Sequence, residues 1–338
     1  MRLRWSRQEL ALTHTFTIAR SSASAKETLR VELEYAGIVG VGEAIPTSFY
    51  GQSLASAEAA LAEMAGLLGG DPFQITPIVD RCLARFDDQR AAVSAVDGAL
   101  HDWVGKRLGV PVWRLLGLDP EAAPLTSFTI GIDEPDVVEA KTAEAAGFPI
   151  LKIKVGTDRD SEILSAVRRV APDKVLRVDA NGGWPPAAAA EHIRRLEPYH
   201  VELVEQPVEP GNNDVFRQLR QTAAVPIVAD ESCVRPADVV ALAGCVDGIN
   251  IKLSKCGGIR EALRMIHTAR ACGLKVMLGC MIESSIGIAQ AAHLAPLADW
   301  IDLDGHLLIR EDPFEGIGGA NGQLTLTDRP GLGVDRRC

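Results

Sequence analysis

The chain has 338 residues, of which 47% are hydrophobic and 24% are charged, a composition that is typical of globular proteins and excludes the disordered and fibrous classes. The formal net charge is −10 and there is no Lys- or Arg-rich run, which excludes nucleic acid as a partner because phosphate neutralisation needs a basic face. This length predicts one barrel of about 200–250 residues with a smaller domain beside it.

The cysteines and the apolar segments bear on where the protein works. The seven cysteines form no CxxC pair, and an odd, scattered set is typical of reduced thiols in a cytoplasm. No apolar stretch approaches the roughly 20 residues that cross a bilayer, and the N-terminus has no apolar signal core. We therefore expect a cytoplasmic protein that does not associate with a membrane.

The first third of the chain predicts strands followed by helices. Residues 2–44 have a strand-like pattern, which is clearest in the alternation of residues 29–35. Helical periodicity follows in residues 53–68 and 91–108. Strands and helices that are segregated in this way are typical of an α+β unit, and we expect it to span residues 1–123.

The chain after residue 124 alternates between short apolar runs and amphipathic stretches, and the runs are rich in β-branched residues. Such alternation predicts a parallel sheet covered by helices on both faces. The eight runs are residues 126–130, 150–155, 175–178, 201–204, 226–229, 248–253, 276–279 and 300–303. Eight strands favour a closed α/β barrel over residues 124–311, with an open doubly wound sheet as the alternative. Residues 312–338 are Gly-rich, and we expect them to pack back on the first domain.

Carboxylates follow three successive predicted strands. Asp179 lies 25 residues after Lys154, Glu205 lies 26 residues after Asp179, and Asp230 lies 25 residues after Glu205. These gaps equal about one strand–helix unit, so the side chains should share one height at the carboxyl ends of the strands, where barrel enzymes place their chemistry. An Asp in such a position can also cap the next helix. Three carboxylates together suit a hard divalent ion, so we expect one Mg²⁺ per subunit.

Lysines accompany the carboxylates at the same strand ends. Lys152 and Lys154 are two residues apart and therefore face one side of the second strand, and Lys252 ends the sixth. Unpaired ammonium groups are costly in a barrel wall. Lys255, just beyond the sixth strand, is interpreted as solvated. Because strands two and six lie on opposite sides of the barrel, Lys154 and Lys252 can approach a bound carbon from its two faces. A metal ion beside them would lower the pKa of a lysine and let it act as a base.

These residues resemble a known set of motifs. Lys-Ile-Lys at 152–154, Val-Asp-Ala-Asn at 178–181, Glu-Gln-Pro at 205–207, Asp-Glu-Ser at 230–232 and Asn-Ile-Lys-Leu-Ser-Lys-Cys-Gly-Gly at 250–258 together are similar to the enolase superfamily, over essentially the whole chain. The similarity is to the branch of muconate cycloisomerases, o-succinylbenzoate synthases and dipeptide epimerases. It implies a modified (β/α)₇β barrel of the TIM type with an N-terminal α+β capping domain. It also implies a 1,1-proton transfer by Lys154 and Lys252 through a metal-stabilised enediolate, a chemistry for which Lys bases with Mg²⁺ are known in this superfamily.

Within the branch, the chain most resembles L-Ala-D/L-Glu epimerases, which serve in the recycling of cell-wall peptides. The resemblance implies that Asp302 and Asp304 bind the α-ammonium of a dipeptide, and two carboxylates on one face of a strand can accept its protons. It also implies that the substrate contacts Lys152, Thr129, Cys280 and Ile282, and that residues 18–22 and 47–53 form a lid. In that lid, Arg20 can pair with an acidic substrate side chain, with Lys26 as a rival.

Other functions compete with this prediction. Another reaction of the same branch, or the epimerisation of a different dipeptide, would use the same lysines and metal. A dinucleotide-binding protein is disfavoured because no GxGxxG motif follows a strand. A structural barrel without activity would not need lysines in its wall. We also expect a homo-oligomer, since closed assemblies are common.

Overall fold

The computed structural model describes residues 1–337, and its N-terminal region is an antiparallel sheet covered by helices. The strands are β1 Arg2–Ile18, β2 Ser21–Tyr35 and β3 Ile38–Ala44, in the order β1-β2-β3. The helices are α1 Leu54–Met64, α2 Ile75–Arg85, α3 Arg90–Leu108 and α4 Val112–Leu115. Helix α2 was not predicted from the sequence. It contains Pro77 in its first turn, where proline is tolerated because its missing N–H has no partner to lose.

Helix α3 packs against the sheet at van der Waals distance from β3. The apolar residues that alternate along β2, including Leu29, Val31 and Leu33, are buried in the same core as α3. Gly40 and Gly42 of β3 allow the close approach, since a Cβ at either position would lie 2.0 Å from a backbone oxygen of α3. The small residues in β3 therefore fix how the helix lies on the sheet.

The second region is a parallel eight-stranded sheet that closes on itself. Its strands follow one another in chain order: β4 Phe128–Ile130, β5 Ile150–Lys154, β6 Val175–Asp179, β7 Val201–Glu205, β8 Ile227–Ala229, β9 Gly248–Lys252, β10 Lys275–Gly279 and β11 Trp300–Asp302. The two ends of this order meet where Thr126 bridges to Ile301 in parallel. The predicted barrel with an N-terminal cap is confirmed, and the alternative of an open sheet is wrong.

Helices cover the outside of the barrel and bury the apolar face of its strands. They are α5 Pro135–Glu144, α6 Asp160–Val170, α7 Ala189–Arg195, α8 Asn213–Thr222, α9 Pro236–Leu242, α11 Ile259–Ala271 and α12 Ser285–Ala292. The short helix α10 Leu253–Cys256 directly follows β9 at the mouth of the barrel. One large core lies between these helices and the strands, separate from the core of the N-terminal region. Within residues 1–337, no helix combines the length and the apolar character that a membrane span requires.

The end of the chain runs over both regions. Two short strands, β12 Phe314–Glu315 and β13 Asp335–Arg336, pair with each other. Asp102 of α3 accepts a hydrogen bond from the backbone N–H of Leu332, and the N–H of Val112 donates to the carbonyl of Gly331. Leu332 and Val334 are also part of the barrel core, so this segment contacts the cap and the barrel together.

The β1–β2 hairpin extends from the cap over the mouth of the barrel. Leu12 bridges to Ile309, and the N–H of Ile132 donates to the carbonyl of Thr17. At the tip, Ala19 lies against two glycines, because a Cβ at Gly156 or Gly183 would come within 3.1 Å or 2.9 Å of the Ala19 Cβ. The tip therefore rests directly on the loops that follow β5 and β6.

Candidate functional site

A cavity of about 500 Å³ lies between the carboxyl ends of the barrel strands and the cap. The barrel contributes Lys154, Lys252 and Asp304 to its wall, and the cap contributes Arg20, Phe49 and Tyr50. The predicted site residues are thus brought together at the end of the barrel where parallel strands deliver their C-terminal side chains.

Three carboxylates lie beneath the lysines that line this cavity. Asp179 and Glu205 end the neighbouring strands β6 and β7, where they are register partners, and Asp230 directly follows β8. All three side chains are fully buried, and one oxygen atom from each lies within 4.8 Å of the others. The sequence spacing predicted that these three residues lie at one height on successive strands, and this brings their oxygens into one cluster.

Each of two lysines pairs with one of these carboxylates. Lys154 Nζ lies 2.6 Å from Asp179 Oδ2, and Lys252 Nζ lies 2.7 Å from Asp230 Oδ2. Burial opposes ionisation of both carboxyls, but the lysines outweigh it and hold the pKa of Asp179 and of Asp230 below the ordinary value. Burial likewise opposes the charge on Lys252, and Asp230 outweighs it and raises the lysine pKa.

Glu205 differs from its two neighbours because no lysine is dedicated to it. Burial and the charge of Asp179 raise the pKa of Glu205 to about 8. Its Oε1 accepts a hydrogen bond from Asn250 Nδ2 at 2.8 Å. Its Oε2 is buried without a hydrogen-bond partner among residues 1–337, although Lys152 Nζ lies 2.7 Å away. A buried cluster of carboxylate oxygens in which Glu205 Oε2 lacks a hydrogen-bond partner fits a hard divalent cation, with these three carboxylates as its ligands.

Lys152 links the carboxylate cluster to the last barrel strand. It is only 1% exposed, and its Nζ lies 2.7 Å from Asp302 Oδ2 and 3.1 Å from Asp179 Oδ2. Burial opposes its charge, but Asp302 and Glu205 raise its pKa well above the ordinary value. The structure therefore places the ammonium group of Lys152 among carboxylates on three sides.

Asp302 and Asp304 lie close together but have different partners. Asp302 accepts hydrogen bonds from Lys152 and, at 2.7 Å, from Ser127 Oγ. Asp304 accepts one from the backbone N–H of Thr129 at 2.6 Å, and no cation pairs with it in the described part of the chain. Burial and the neighbouring Asp302 raise the pKa of Asp304 to about 7. Of the two, Asp304 is the carboxylate that can still gain a cation.

The remaining predicted residues also line the cavity. Thr129, Cys280 and Ile282 face it from the ends of β4 and β10, and Cys280 Sγ lies 4.0 Å from Asp304 Oδ1. Burial raises the pKa of the Cys280 thiol well above its ordinary value, so the thiol is a neutral wall group. Arg20 lines the cavity too, but its guanidinium already contacts Glu231.

Two buried groups of the site were not predicted from the sequence. The interpretation of Lys255 as solvated is wrong: it is 1% exposed, and its Nζ donates to a carboxylate oxygen of Asp230 and to the carbonyl of Asn250. A signal was available, because one helical turn after β9 returns residue 255 to the side of residue 252. Glu231, which follows Asp230, was not assigned a role either; it is 5% exposed and lines the cavity.

The comparisons with known proteins agree with this geometry. Residues 5–117 match the model described as the mandelate racemase / muconate lactonizing enzyme N-terminal domain, and residues 136–337 match the model described as enolase C-terminal domain-like. The chain is 43% identical over 336 residues to an L-Ala-D/L-Glu epimerase of Bacteroides thetaiotaomicron, covering 99% of this chain and 88% of that protein.

Two solved structures show the same similarity. One is a dipeptide epimerase from Enterococcus faecalis V583 complexed with Mg and the dipeptide L-Leu-L-Tyr, with a TM-score of 0.94, 36% identity and coverage of 99% of both chains. The other is a substrate-liganded complex of the L-Ala-D/L-Glu epimerase from Bacillus subtilis, with a TM-score of 0.93, 33% identity, and coverage of 99% of this chain and 98% of that chain. The protein described here therefore belongs to the enolase superfamily.

Proposed function

We propose that this protein is a Mg²⁺-dependent dipeptide epimerase that inverts the α-carbon of the second residue of its substrate. The observation that carries the proposal is the pair of lysines, Lys154 and Lys252, which flank one carboxylate cluster from strands β5 and β9. The relatives named as dipeptide epimerases, two of them with a bound dipeptide or substrate, support it.

Asp179, Glu205 and Asp230 are the residues that would hold one Mg²⁺. A bound Mg²⁺ supplies electrostatic stabilisation of the negative charge that grows on the substrate carboxylate when the α-proton leaves. Lys152, which is buried among the same carboxylates, adds positive charge beside that position. Its role is electrostatic, because it contacts several carboxylates at once.

The two flanking lysines carry the proton. One lysine accepts the α-proton in its neutral form, which a bound Mg²⁺ would favour by offsetting the carboxylate that raises the pKa of Lys252. The other lysine donates a proton from its ammonium form on the opposite face. Exchanging these roles runs the reaction backwards. Both side chains are over 90% buried, so bulk water is kept from competing for the proton.

The ends of the substrate are held by different parts of the molecule. Asp304 takes the α-ammonium, because it is the carboxylate of its pair without a cation, and Asp302 supports Lys152. Thr129, Cys280 and Ile282 line the cavity beside the first residue of the dipeptide. From the lid, Arg20 would face the second side chain and be shared between Glu231 and an acidic group such as that of Ala-Glu. We assign residues 1–123 to the lid domain and residues 124–311 to the catalytic barrel. Residues 312–338 form a C-terminal segment that contacts both domains.

We also propose that the protein is a homo-oligomer that acts in the cytoplasm, in the recycling of cell-wall peptides. Cycloisomerisation and succinylbenzoate synthesis remain as the competing reactions of the branch. The cation-free Asp304 favours a substrate that carries an ammonium group, which a dipeptide has.

The test is deuterium uptake at the α-carbon. A library of L-Ala-X dipeptides is incubated with the protein in heavy water with Mg²⁺, and the exchange is followed by proton NMR. We expect exchange and inversion of X, loss of both with a chelator, and recovery when Mg²⁺ is added back, while circular dichroism shows an intact fold throughout. Full activity of metal-free protein, or no exchange with any dipeptide, would contradict the proposal.

A further inference from the structure

The lid arginine is held by an ion pair across the mouth of the barrel. Arg20 Nη2 donates to Glu231 Oε1 at 2.7 Å, and Nη1 donates to the carbonyl of Asn181 at 2.7 Å. The guanidinium also lies over the ring of Phe49, with Cζ 4.2 Å from the ring centroid. Both terminal nitrogens are therefore engaged by the protein on the side that faces the barrel.

Glu231 is a buried carboxylate of which one oxygen accepts no hydrogen bond. The residue is 5% exposed and lines the cavity. Its Oε1 also accepts a hydrogen bond from Asn181 Nδ2 at 3.1 Å, whereas Oε2 has no hydrogen-bond partner among residues 1–337. A buried carboxylate oxygen without a partner is costly, so the charge of Glu231 depends on Arg20 and Asn181 for its compensation.

The charges around the outer cavity cancel. Besides the groups at the strand ends, its charged residues are the cations Arg20 and Lys26 and the anions Glu27 and Glu231. Arg20 beside Glu231 therefore presents a compensated guanidinium rather than a free one. An acidic substrate side chain has to share Arg20 with Glu231, and a neutral side chain meets no net charge.

We propose that Glu231 is a specificity-determining residue, which sets the charge preference for the epimerised residue by neutralising Arg20. This inference rests on the proposed dipeptide epimerase activity and refines it. The unmodified protein accepts both acidic and neutral second residues. Without Glu231, Arg20 selects acidic side chains strongly. Without Arg20, the buried carboxylate of Glu231 selects cationic ones.

The experiment compares kcat/KM for L-Ala-L-Glu, L-Ala-L-Leu and L-Ala-L-Lys, with Mg²⁺ at saturation. One unbalanced charge in a partly buried cavity should change these ratios by about tenfold or more. Glu231→Gln should raise the Glu/Leu ratio, and Arg20→Met should lower it and raise the Lys/Leu ratio. Because the two charges cancel, the double variant should return both ratios to within about threefold of those of the unmodified protein.

The matched control is a second Arg–Glu ion pair, whose arginine, Arg7, lies on β1. Arg7 Nη2 lies 2.6 Å from Glu58 Oε2, outside the cavity, so Arg7→Met and Glu58→Gln should leave all ratios unchanged. Titration calorimetry of each variant with Mg²⁺ shows whether the neighbouring ligand Asp230 is disturbed; we expect the Mg²⁺ Kd to change by less than about threefold.

The outcomes separate this inference from the function on which it rests. Deuterium exchange by the unmodified protein tests the epimerase function. Given that exchange, unchanged ratios in Glu231→Gln overturn the role of Glu231, and so does an Arg20→Met variant that loses Ala-Glu without gaining Ala-Lys. A Glu231→Gln variant that weakens Mg²⁺ binding and leaves the ratios unchanged assigns Glu231 to support of Asp230 and also overturns the inference.

Discussion

Strands β5 and β9, on opposite sides of the barrel, each bring two lysines to the mouth, and they do so by different means. On the β5 side, Lys152 and Lys154 alternate along one strand, so both project inward. On the β9 side, Lys252 ends the strand and Lys255 lies one turn later in α10. In each pair, the rim lysine, Lys154 or Lys252, contacts one carboxylate of the cluster. The other lysine, Lys152 or Lys255, is only 1% exposed.

The loops beyond the two strands are also held differently. After β5, Asp160 accepts hydrogen bonds from the N–H groups of Gly156 and Thr157, only a few residues away. After β9, the support comes from the cap: Asp97 of α3 accepts from the N–H of Ile259, and Arg90 donates to the carbonyl of Cys256. One side is therefore built locally and the other depends on contacts across about 160 residues, so the two sides should respond differently to substitution.

The largest expected effect tests whether the two rim lysines are equivalent. Lys154→Ala and Lys252→Ala should each lower epimerisation by at least about 1,000-fold, since proton transfer by a positioned group contributes up to about four orders of magnitude. Each variant should still exchange the α-proton of one stereoisomer, and the two variants should prefer opposite isomers. Proton NMR in heavy water measures the epimerisation and the exchange. The control is Lys275→Ala, at the amino end of β10 and so opposite the mouth of the barrel. A variant that still interconverts both isomers would break the equivalence.

The next effect concerns the two buried lysines. Lys152→Met leaves several buried carboxylates uncompensated, and we expect the free energy of unfolding to fall by about 3–5 kcal/mol. Lys255→Met removes one of two lysines from Asp230, and we expect a smaller loss of about 1.5–3 kcal/mol. Urea unfolding of metal-free protein measures both losses. Lys255→Met with the stability of the unmodified protein would show that this lysine is not the counterpart of Lys152.

A smaller effect belongs to the carboxylate pair beside Lys152. Asp304→Asn should lower kcat/KM for Ala-Glu by about 10- to 100-fold, the value of a charge-assisted hydrogen bond, and leave an N-acetylated dipeptide unaffected. Because burial and Asp302 raise the pKa of Asp304 to about 7, the carboxylate protonates below that pH. Hence kcat/KM for the free dipeptide should fall about tenfold per pH unit on the acid side. The same slope in Asp304→Asn would assign it to another group.

The smallest effect compares the local support with the support from the cap. Asp160→Ala and Asp97→Ala each remove a side chain that satisfies backbone N–H groups, so each should cost about 1–2 kcal/mol of stability. Only Asp97→Ala removes a contact between the cap and the barrel. It should therefore reduce the cooperativity of urea unfolding, which lowers the slope of the unfolding free energy against urea concentration. Asp160→Ala should leave that slope unchanged. Equal slopes in the two variants would mean that the cap and barrel are coupled without Asp97.

The order of the barrel strands and most of the charged groups of the site could be predicted from the sequence, for a physical reason. Barrel strands repeat at nearly constant spacing, so residues such as Asp179, Glu205 and Asp230, at one height on successive strands, converge once the barrel closes. The inward direction of Lys152 and Lys154 follows from strand periodicity alone. These features depend on local patterns, and local patterns are what one sequence displays.

Tertiary structure decided what each charged group pairs with. The chain order does not show that Asp302 is taken by Lys152 while Asp304 lacks a cation, or that Arg20 is shared with Glu231, 211 residues away. Nor does it show that Lys255 is buried against Asp230, since a lysine after a strand is more often solvated. Such pairings depend on side-chain distances set by packing between elements far apart in the chain. The sequence by itself therefore determined the barrel and the chemical groups at its mouth, and the packing of the cap on the barrel decided which of those groups are free to meet a substrate.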